Sequence, residues 1–530
     1  MPSVFANGAR RRAQRSSDRA SVEPSFHRRY LTLVDQIERS FPVIGWRRGD
    51  LEVWPLARME LYLDMYWANA GRPRPELRPF PFRRLARIAR PARNMWRSRG
   101  DLAHFVARPK PAHAIFLGDG VSLDLVDGGW RDRFGEPLIA ALERRGLSTF
   151  LMQSGDLSRL PWHRPTFAAN IIAGRGYQPE FDAASPLELP GHEAVIGFLG
   201  RNGVLATALD RQNLSRTASV VAATAAEFER VMRIVKPTLA FVVTYYAGLG
   251  HSFLLACRRQ GILSIDLQHC PQESAHKAYG WSAIPETGYA SLPAVFWNWS
   301  EAEAEAIRGW TSKLNAPWHR SVHGGHTQLA PFLSDNDPAT MAWDARISSI
   351  GGGAMFEREI LVALQPIGGH RSRWEALAAQ IEAAPTTWRW WIRRHPASSP
   401  LQDEEYISLL SLRKANVVVD QASSLPLPAL LRHMSILLSL ASGAAAEAAA
   451  FGVPALFLIE DARGPFAGLI ERRLATVVDV HAITEIIAHT SKVPVRPSAT
   501  RAPDIDETLA QLEWIAGDYA RLCAGGAASP

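Results

Sequence analysis

Short apolar runs alternate with amphipathic stretches along most of this chain, on both sides of one Gly-Gly pair, Gly324-Gly325. Before the pair, residues 112–118 (AHAIFLG), 148–153, 239–245 (LAFVVTY), 262–268 (ILSIDLQ) and 294–299 (AVFWNW) read as buried strands. Residues 136–145, 205–235 and 248–261 carry helical spacing between them, and 160–200 is Pro-rich and irregular. After the pair, 359–366, 387–394, 416–419, 435–440, 454–459 and 475–480 read as strands. Residues 372–384, 426–433, 442–451 and 505–521 read as helices. Strand–helix–strand repetition calls for parallel sheets with right-handed crossovers. At 530 residues the chain exceeds the ~250–300 that one core supports. The expectation is two doubly wound α/β domains facing one cleft, with ligands at the carboxyl ends of the strands.

Composition sets the outer limits. The chain is 47% hydrophobic and 21% charged, as a globular protein should be. Cys257, Cys270 and Cys523 stand far apart, which argues for a reducing compartment and against a disulfide framework. No apolar run reaches the ~18–20 residues of a membrane span. The net charge of +7 is concentrated between residues 72 and 99, where ten arginines face one acid, Glu76, with Leu85, Ile88, Met95 and Trp96 between them. Such a segment fits a solvated linker or a helix lying on an anionic membrane surface. No nucleic-acid motif accompanies it, so no nucleic-acid partner is expected.

The organisation read from these patterns is a disordered basic tail over 1–25 and a helical extension over 26–110 that includes the Arg-rich segment. A first Rossmann-like domain follows over 111–325. A second covers 326–505, and a C-terminal helix and tail close the chain over 506–530.

Four motifs lie at predicted strand ends. Arg393-Arg394-His395-Pro396 brings two cations and an imidazole to where a phosphate leaving group gains charge. Ser442 and Gly443 open an Ala-rich helix whose one ionised residue is Glu447, placed to accept ribose hydroxyls. In the first domain Tyr245, Tyr246, His251, Gln268 and His269 suit sugar or acceptor recognition; any of the tyrosines could equally be a core aromatic. Asp119 follows the first strand as a candidate general base, with an ordinary Asp-Gly turn as the plain alternative and Asp124 and Asp127 behind it. Asp335-Asn336-Asp337 sits in a polar loop and reads as surface. P-loop, HExxH and GxSxG patterns are missing.

Taken in order, these elements resemble bacterial glycosyltransferases of the GT-B type that build capsule and lipopolysaccharide O-antigen. The resemblance rests on a QH pair after a strand, FWNWSEAEAEAI, the Gly-Gly pair, a strand ending in Gln365, the HP motif and S-x4-E-x3-FGVPAL, and it covers roughly 110–490. Glycerophosphate polymerases of teichoic acid are more distantly similar and share the HP motif. The resemblance implies a GT-B-like pair of Rossmann-like domains with an N-terminal helical extension. It implies that Gln365, Arg394, His395, Ser442, Gly443 and Glu447 hold a nucleotide-sugar, His395 at the phosphate and Glu447 at the ribose. Asp119 and His395 would be the catalytic pair, with no metal and no cofactor. Asp119 looks like the acidic-Gly base of some HP-containing sialyltransferases, except that Gly118 stands where those show a second acid. The implied partners are a nucleotide-sugar donor and a glycan or lipid-linked acceptor. The implied place is the cytoplasm, including the inner face of the plasma membrane. A sugar-nucleotide epimerase on the same plan and a non-catalytic carbohydrate-binding subunit are the alternatives.

Overall fold

The computed structural model describes residues 26–69, 108–126, 128–154, 162–172, 185–246, 248–350, 355–365, 370–395, 400–411, 416–491 and 503–526. The tail 1–25, the Arg-rich segment 72–99, Asp127 and Pro396 lie outside the described residues.

Helices α1 (Phe26–Ser40) and α2 (Trp54–Asn69) flank a hairpin of β1 (Arg47–Arg48) and β2 (Leu51–Glu52). Pro55 stands in the first turn of α2, where the ring lacks only an N–H that has no helical partner anyway. Among the described residues the extension has no core of its own. Tyr30, Trp46, Trp54 and Leu61 belong to one apolar cluster with Ile115, Phe228 and Val242 of the first domain. A buried pair, Arg58 Nη1 to Glu38 Oε1 at 3.0 Å, locks the two helices together, and the Ser282 amide donates to the other carboxylate oxygen at 2.7 Å.

The first domain runs through β3 (Ala114–Gly118), a hairpin of β4 (Leu123–Val126) and β5 (Gly129–Asp132), α3 (Gly135–Arg144) and β6 (Thr149–Gln153). It continues with β7 (Thr166–Ala168), β8 (Leu187–Glu188), α4 (His192–Arg201), α5 (Arg211–Val235), β9 (Leu239–Val243) and α6 (Gly248–Gln260). It ends with β10 (Leu263–Leu267), β11 (Val295–Asn298), α7 (Glu301–Thr311) and β12 (Arg320–His323). Seven of these strands form a parallel sheet in the order β12-β11-β10-β9-β3-β6-β7. β3, β9 and β10 are buried at every position, as strands covered on both faces must be. The stretch 160–200 is not simply irregular: it supplies β7, β8 and α4, and β8 pairs with β1 of the extension.

The second domain holds α8 (Pro338–Ser349), β13 (Arg358–Ala363), α9 (Arg371–Ala383), β14 (Trp388–Arg393), α10 (Pro400–Ser411) and β15 (Val417–Val418). Then come α11 (Asp420–Ser424), α12 (Leu427–His433), β16 (Ile436–Ser439), α13 (Ala444–Ala450), β17 (Ala455–Phe457), α14 (Ala467–Glu471), β18 (Ala475–Val477) and α15 (Ile483–His489). Its six strands are parallel in the order β15-β14-β13-β16-β17-β18. Counted within the domain, that is the 3-2-1-4-5-6 order of a doubly wound nucleotide-binding sheet. The first domain follows the same scheme with one strand added. This is the GT-B-like pair of Rossmann-like domains that the alternation predicts. In each, the first strand lies beside the fourth, β3 beside β9 and β13 beside β16, and the chain leaves them in opposite directions to open a crevice.

Two connections depart from the sequence reading. The pair Gly324-Gly325 reads as a hinge, yet it is pinned: a Cβ at Gly324 would stand 2.0 Å from the Trp297 ring, and Trp297 Nε1 donates to Gly325 O at 2.9 Å. The last helix, α16 (Ile505–Gly526), returns to the first domain, where Leu509, Leu512, Ile515 and Tyr519 join the cluster of Leu239, Leu263 and Trp297. Among the described residues no helix is long and apolar enough to cross a membrane.

Candidate active site

The crevice of the first domain begins at Asp119. Its Oδ1 accepts from the amides of Val121 and Ser122 at 2.8 and 2.7 Å, and its Oδ2 accepts from Ser122 Oγ at 2.9 Å. The carboxylate therefore builds its own turn. Across the crevice Thr244 ends β9 at φ +60°, with Oγ1 3.5 Å from Asp119 Oδ2. A β-branched residue in the left-handed region is strained. The strain is imposed from the next turn, where α6 approaches so closely that a Cβ at Gly250 would meet Tyr245 O at 2.3 Å. Thr244→Gly is expected to raise the denaturant midpoint by the equivalent of about 1 kcal/mol while lowering turnover. An unchanged or lower midpoint would show that this geometry stores no strain.

Gly118 has a structural reason. A Cβ there would lie 2.2 Å from Asp132 Oδ2, because Asp132 and Gln153 fill that space. Asp132 is held by the amides of Phe134 and Gly135 at 3.1 and 2.7 Å and by Gln153 Nε2 at 2.5 Å. Burial pushes its carboxyl up to about 6, and nearby Asp119 adds to the rise.

The crevice of the second domain is spanned by Gln365, whose amide donates to Ala441 O at 2.8 Å and accepts from Ala441 N at 2.7 Å. Gln365 thus fixes the loop between β16 and α13. In that loop Ser442 N donates to Ser439 Oγ at 3.2 Å and Ala444 N to Ser442 Oγ at 3.3 Å. Gly443 closes against the other domain, since a Cβ on it would lie 3.8 Å from His269 O.

Glu447 follows in α13. It is 5% exposed, and its Oε2 is buried with no hydrogen-bond partner. Burial pushes its carboxyl up to about 7; Asp124 adds to the rise, while Arg133 and Arg393 oppose it. A buried carboxylate without a partner is costly, and in a cleft it marks the place of a ligand donor.

The arginines of RRHP do not meet in the cleft. Arg393 is spent on the carbonyls of Ala422 and Leu425 at 2.6 and 2.7 Å. Arg394 pairs with Asp420 at 3.0 Å and Glu404 at 3.5 Å. His395 is partly buried just past the end of β14. Burial, with Arg133 and Arg393 close by, pulls its imidazole down to about 4, against the nearby Asp119. The cation at the centre is Arg133, which the sequence reading missed. It follows β5 and forks onto Asp124 at 2.7 and 3.0 Å. Burial works against its charge, but Asp124 first, then Glu447 and Asp119, hold its proton more tightly than usual.

His326 was also missed. It follows the pinned Gly-Gly pair and stacks on Trp299, ring centroids 3.8 Å apart, with neither ring nitrogen hydrogen-bonded. Burial and Arg133 pull it down to about 3. The one sequence signal for both residues is position: each follows a strand end, outside any motif.

The residues expected to bind acceptor divide. Tyr245 is a core aromatic bonded to Ala278 O, and His251 is buried with Nδ1 3.0 Å from Ser291 O. Gln268 is buried and fully engaged with Cys270 O, Glu303 and Trp299 N. Tyr246 and His269 are partly exposed and joined at 3.0 Å, and His269 Nδ1 has no partner. Asp335 pairs with Arg432, and Asp337 caps α8 through the Thr340 amide at 2.9 Å.

No family model matches the sequence, and no curated protein matches it. Solved structures are similar in architecture. The UDP-GlcNAc 2-epimerase of Neisseria meningitidis bound to UDP-GlcNAc is 13% identical over 77% of this chain and 99% of that one, TM-score 0.47. The S. aureus MnaA–UDP structure is 12% identical over 76% and 95%, TM-score 0.44. The glycotransferase of kitacinnamycin is 13% identical over 79% and 98%, TM-score 0.40. The chemistry assigned to this cleft rests on its own residues.

Proposed function

We propose that this protein is a metal-independent glycosyltransferase that moves a sugar from a nucleoside-diphosphate donor to a growing surface polysaccharide or lipid-linked acceptor. The observation that carries the proposal is Glu447, whose buried Oε2 has no hydrogen-bond partner, set near Arg133 and Arg393, the same two cations that lie near His395. Glu447 accepts from the ribose hydroxyls. Arg133 and the neutral His395 donate to the phosphates. Asp119 Oδ2 takes the acceptor proton after the acceptor hydroxyl displaces the long Thr244 contact. The acceptor oxygen bonds to the anomeric carbon, the bond from that carbon to phosphate breaks, and the nucleoside diphosphate leaves with its new charge stabilised by Arg133. Capsule or O-antigen assembly is the proposed setting, at the inner face of the plasma membrane through residues 72–99.

Epimerisation of the donor is the second reading, favoured by one observation: Asp124 and Glu447 flank the same Arg133, a carboxylate beside an acid titrating near neutrality. Incubation with a panel of nucleotide-sugars and candidate acceptors separates the two. Acceptor-dependent nucleotide release is expected. A new sugar isomer on an intact nucleotide would give the epimerase, and neither product with any donor would remove the catalytic reading.

A further inference from the structure

Six residues of the chain are lysine against 53 arginines, and Lys277 has an unusual setting. Its Nζ lies 4.9 Å from the Tyr62 ring centre and 5.0 Å from that of Tyr246. The nearest polar atom is His276 Nε2 at 3.3 Å, and Nζ forms no ion pair with a carboxylate among the described residues. The Ala278 amide donates to His276 Nδ1 at 3.2 Å, so the ring proton is on Nε2. An ammonium and an imidazole N–H therefore face each other with no acceptor between them. Cys270 Sγ is 3.9 Å from the same Nε2 and 3.6 Å from His269 Nε2, and the buried His269 Nδ1 is unpartnered.

This cluster stands where three parts of the molecule meet. Tyr62 comes from α2, Tyr246 and residues 269–277 from the first domain. Gly443 of the second domain closes to within 3.8 Å of His269 O, measured from an added Cβ. Tyr62, Tyr246, His269, Cys270 and Lys277 are all partly exposed, while His276 is buried.

We propose that Lys277, His276, His269 and the Cys270 thiol form an oxyanion-binding subsite that takes a phosphate or carboxylate group of the acceptor. Only the word acceptor rests on the glycosyl-transfer reading. An anionic oxygen between Nζ and His276 Nε2 satisfies both donors at once. A compact ammonium with three rotatable N–H groups suits such a point contact better than an arginine fork. Burial holds the Lys277 ammonium below its usual range and pushes the Cys270 thiol up to about 12, which leaves the amine, not the thiol, as the reactive group.

Pyridoxal 5′-phosphate carries an aldehyde for the amine and a phosphate for the subsite. The full-length protein is treated with it at neutral pH; the imine forms with loss of water, borohydride reduces it to a secondary amine, and peptide mass spectrometry locates the label. Lys277 is expected to label at least about tenfold faster than each other lysine, and about tenfold faster than with phosphate-free pyridoxal. Inorganic phosphate is expected to protect it in the wild type, in Arg133→Met and in His395→Ala alike. Glycerol 1-phosphate and glucuronate as competitors then tell a phosphoryl source from a carboxylate one. Equal labelling by the two reagents overturns the subsite. So does protection that disappears in both variants, because phosphate would then act from the donor side, and so does failure of both competitors. Protection that persists in a protein without transferase activity removes the glycosyl-transfer reading and leaves the subsite standing.

Discussion

Arg133→Met is expected to lower kcat/KM for nucleotide-sugar by roughly 100- to 1,000-fold, the cost of removing one preorganised donor from a developing oxyanion. Arg133 is the cation that both halves of the cleft share: it forks onto Asp124 in its own domain and faces Glu447 and His395 of the other. Because the phosphate gains charge only as the glycosidic bond breaks, most of the loss should appear in kcat. Arg133→Lys keeps the charge but cannot hold Asp124 and a phosphate in one planar fork, so it should recover only part of the rate. Steady-state rates on the donor that works best decide this. Arg133→Met activity within about threefold of wild type would place the phosphates elsewhere.

Glu447→Gln should have opposite effects on stability and binding. Burial disfavours the charge of this carboxyl and holds it up at about 7 in the folded protein, above its ordinary value of 4.5. The folded state therefore holds this proton through a range where the unfolded chain has lost it. The resulting destabilisation begins as pH rises through about 4.5 and is complete above about 7. Its full size is of order 3 kcal/mol. The glutamine variant lacks that term, so it should be the more stable protein at pH 8, with the gap closing toward pH 4.5. Asp132, Glu273 and Glu303 also have raised carboxyls, so the wild-type curve alone would mix several groups; the difference between the two proteins isolates Glu447. The same variant should lose donor affinity, since an amide replaces a carboxylate that accepts two hydroxyls. Denaturant unfolding across this range, with nucleotide titrated at pH 8, tests both halves. A variant equal to wild type in stability at pH 8, or one that binds nucleotide normally, would show that Glu447 meets solvent rather than a ligand.

The local elements were largely legible because they are set by periodicity. Ser300 illustrates this: Ser300-Glu301-Ala302-Glu303 reads as a helix start, and Glu303 N does donate to Ser300 Oγ, with Ser300 Oγ donating back to Glu303 Oε2 at 2.9 Å. β7 and β12 were not legible. Uninterrupted apolar runs announce a doubly covered strand, but edge strands such as Arg320–His323 are half exposed and carry no such run. The motif residues were harder still. HP and S-x4-E brought His395 and Glu447 near the same Arg133, whereas Arg394, Gln365, Tyr245 and Gln268 hydrogen-bond to Asp420, Ala441, Ala278 and Glu303, and His251 bonds Ser291 O through Nδ1 while its Nε2 has no partner.

What the sequence determined by itself was the alternation of strands and helices, because hydrophobic period is a local property that each segment carries alone. From it follow parallel sheets, two domains and a cleft at the strand ends. Only the tertiary structure decided which polar side chains are free to act. A side chain at a strand end has the same sequence signature whether its hydrogen bonds close onto neighbouring backbone, as in Gln365, or stay open, as in Glu447. That difference depends on partners 50 to several hundred residues away. Arg133 shows it most clearly: nothing near it in the chain marks it, and its importance comes from Glu447 and His395, which arrive from the other domain when the two crevices meet.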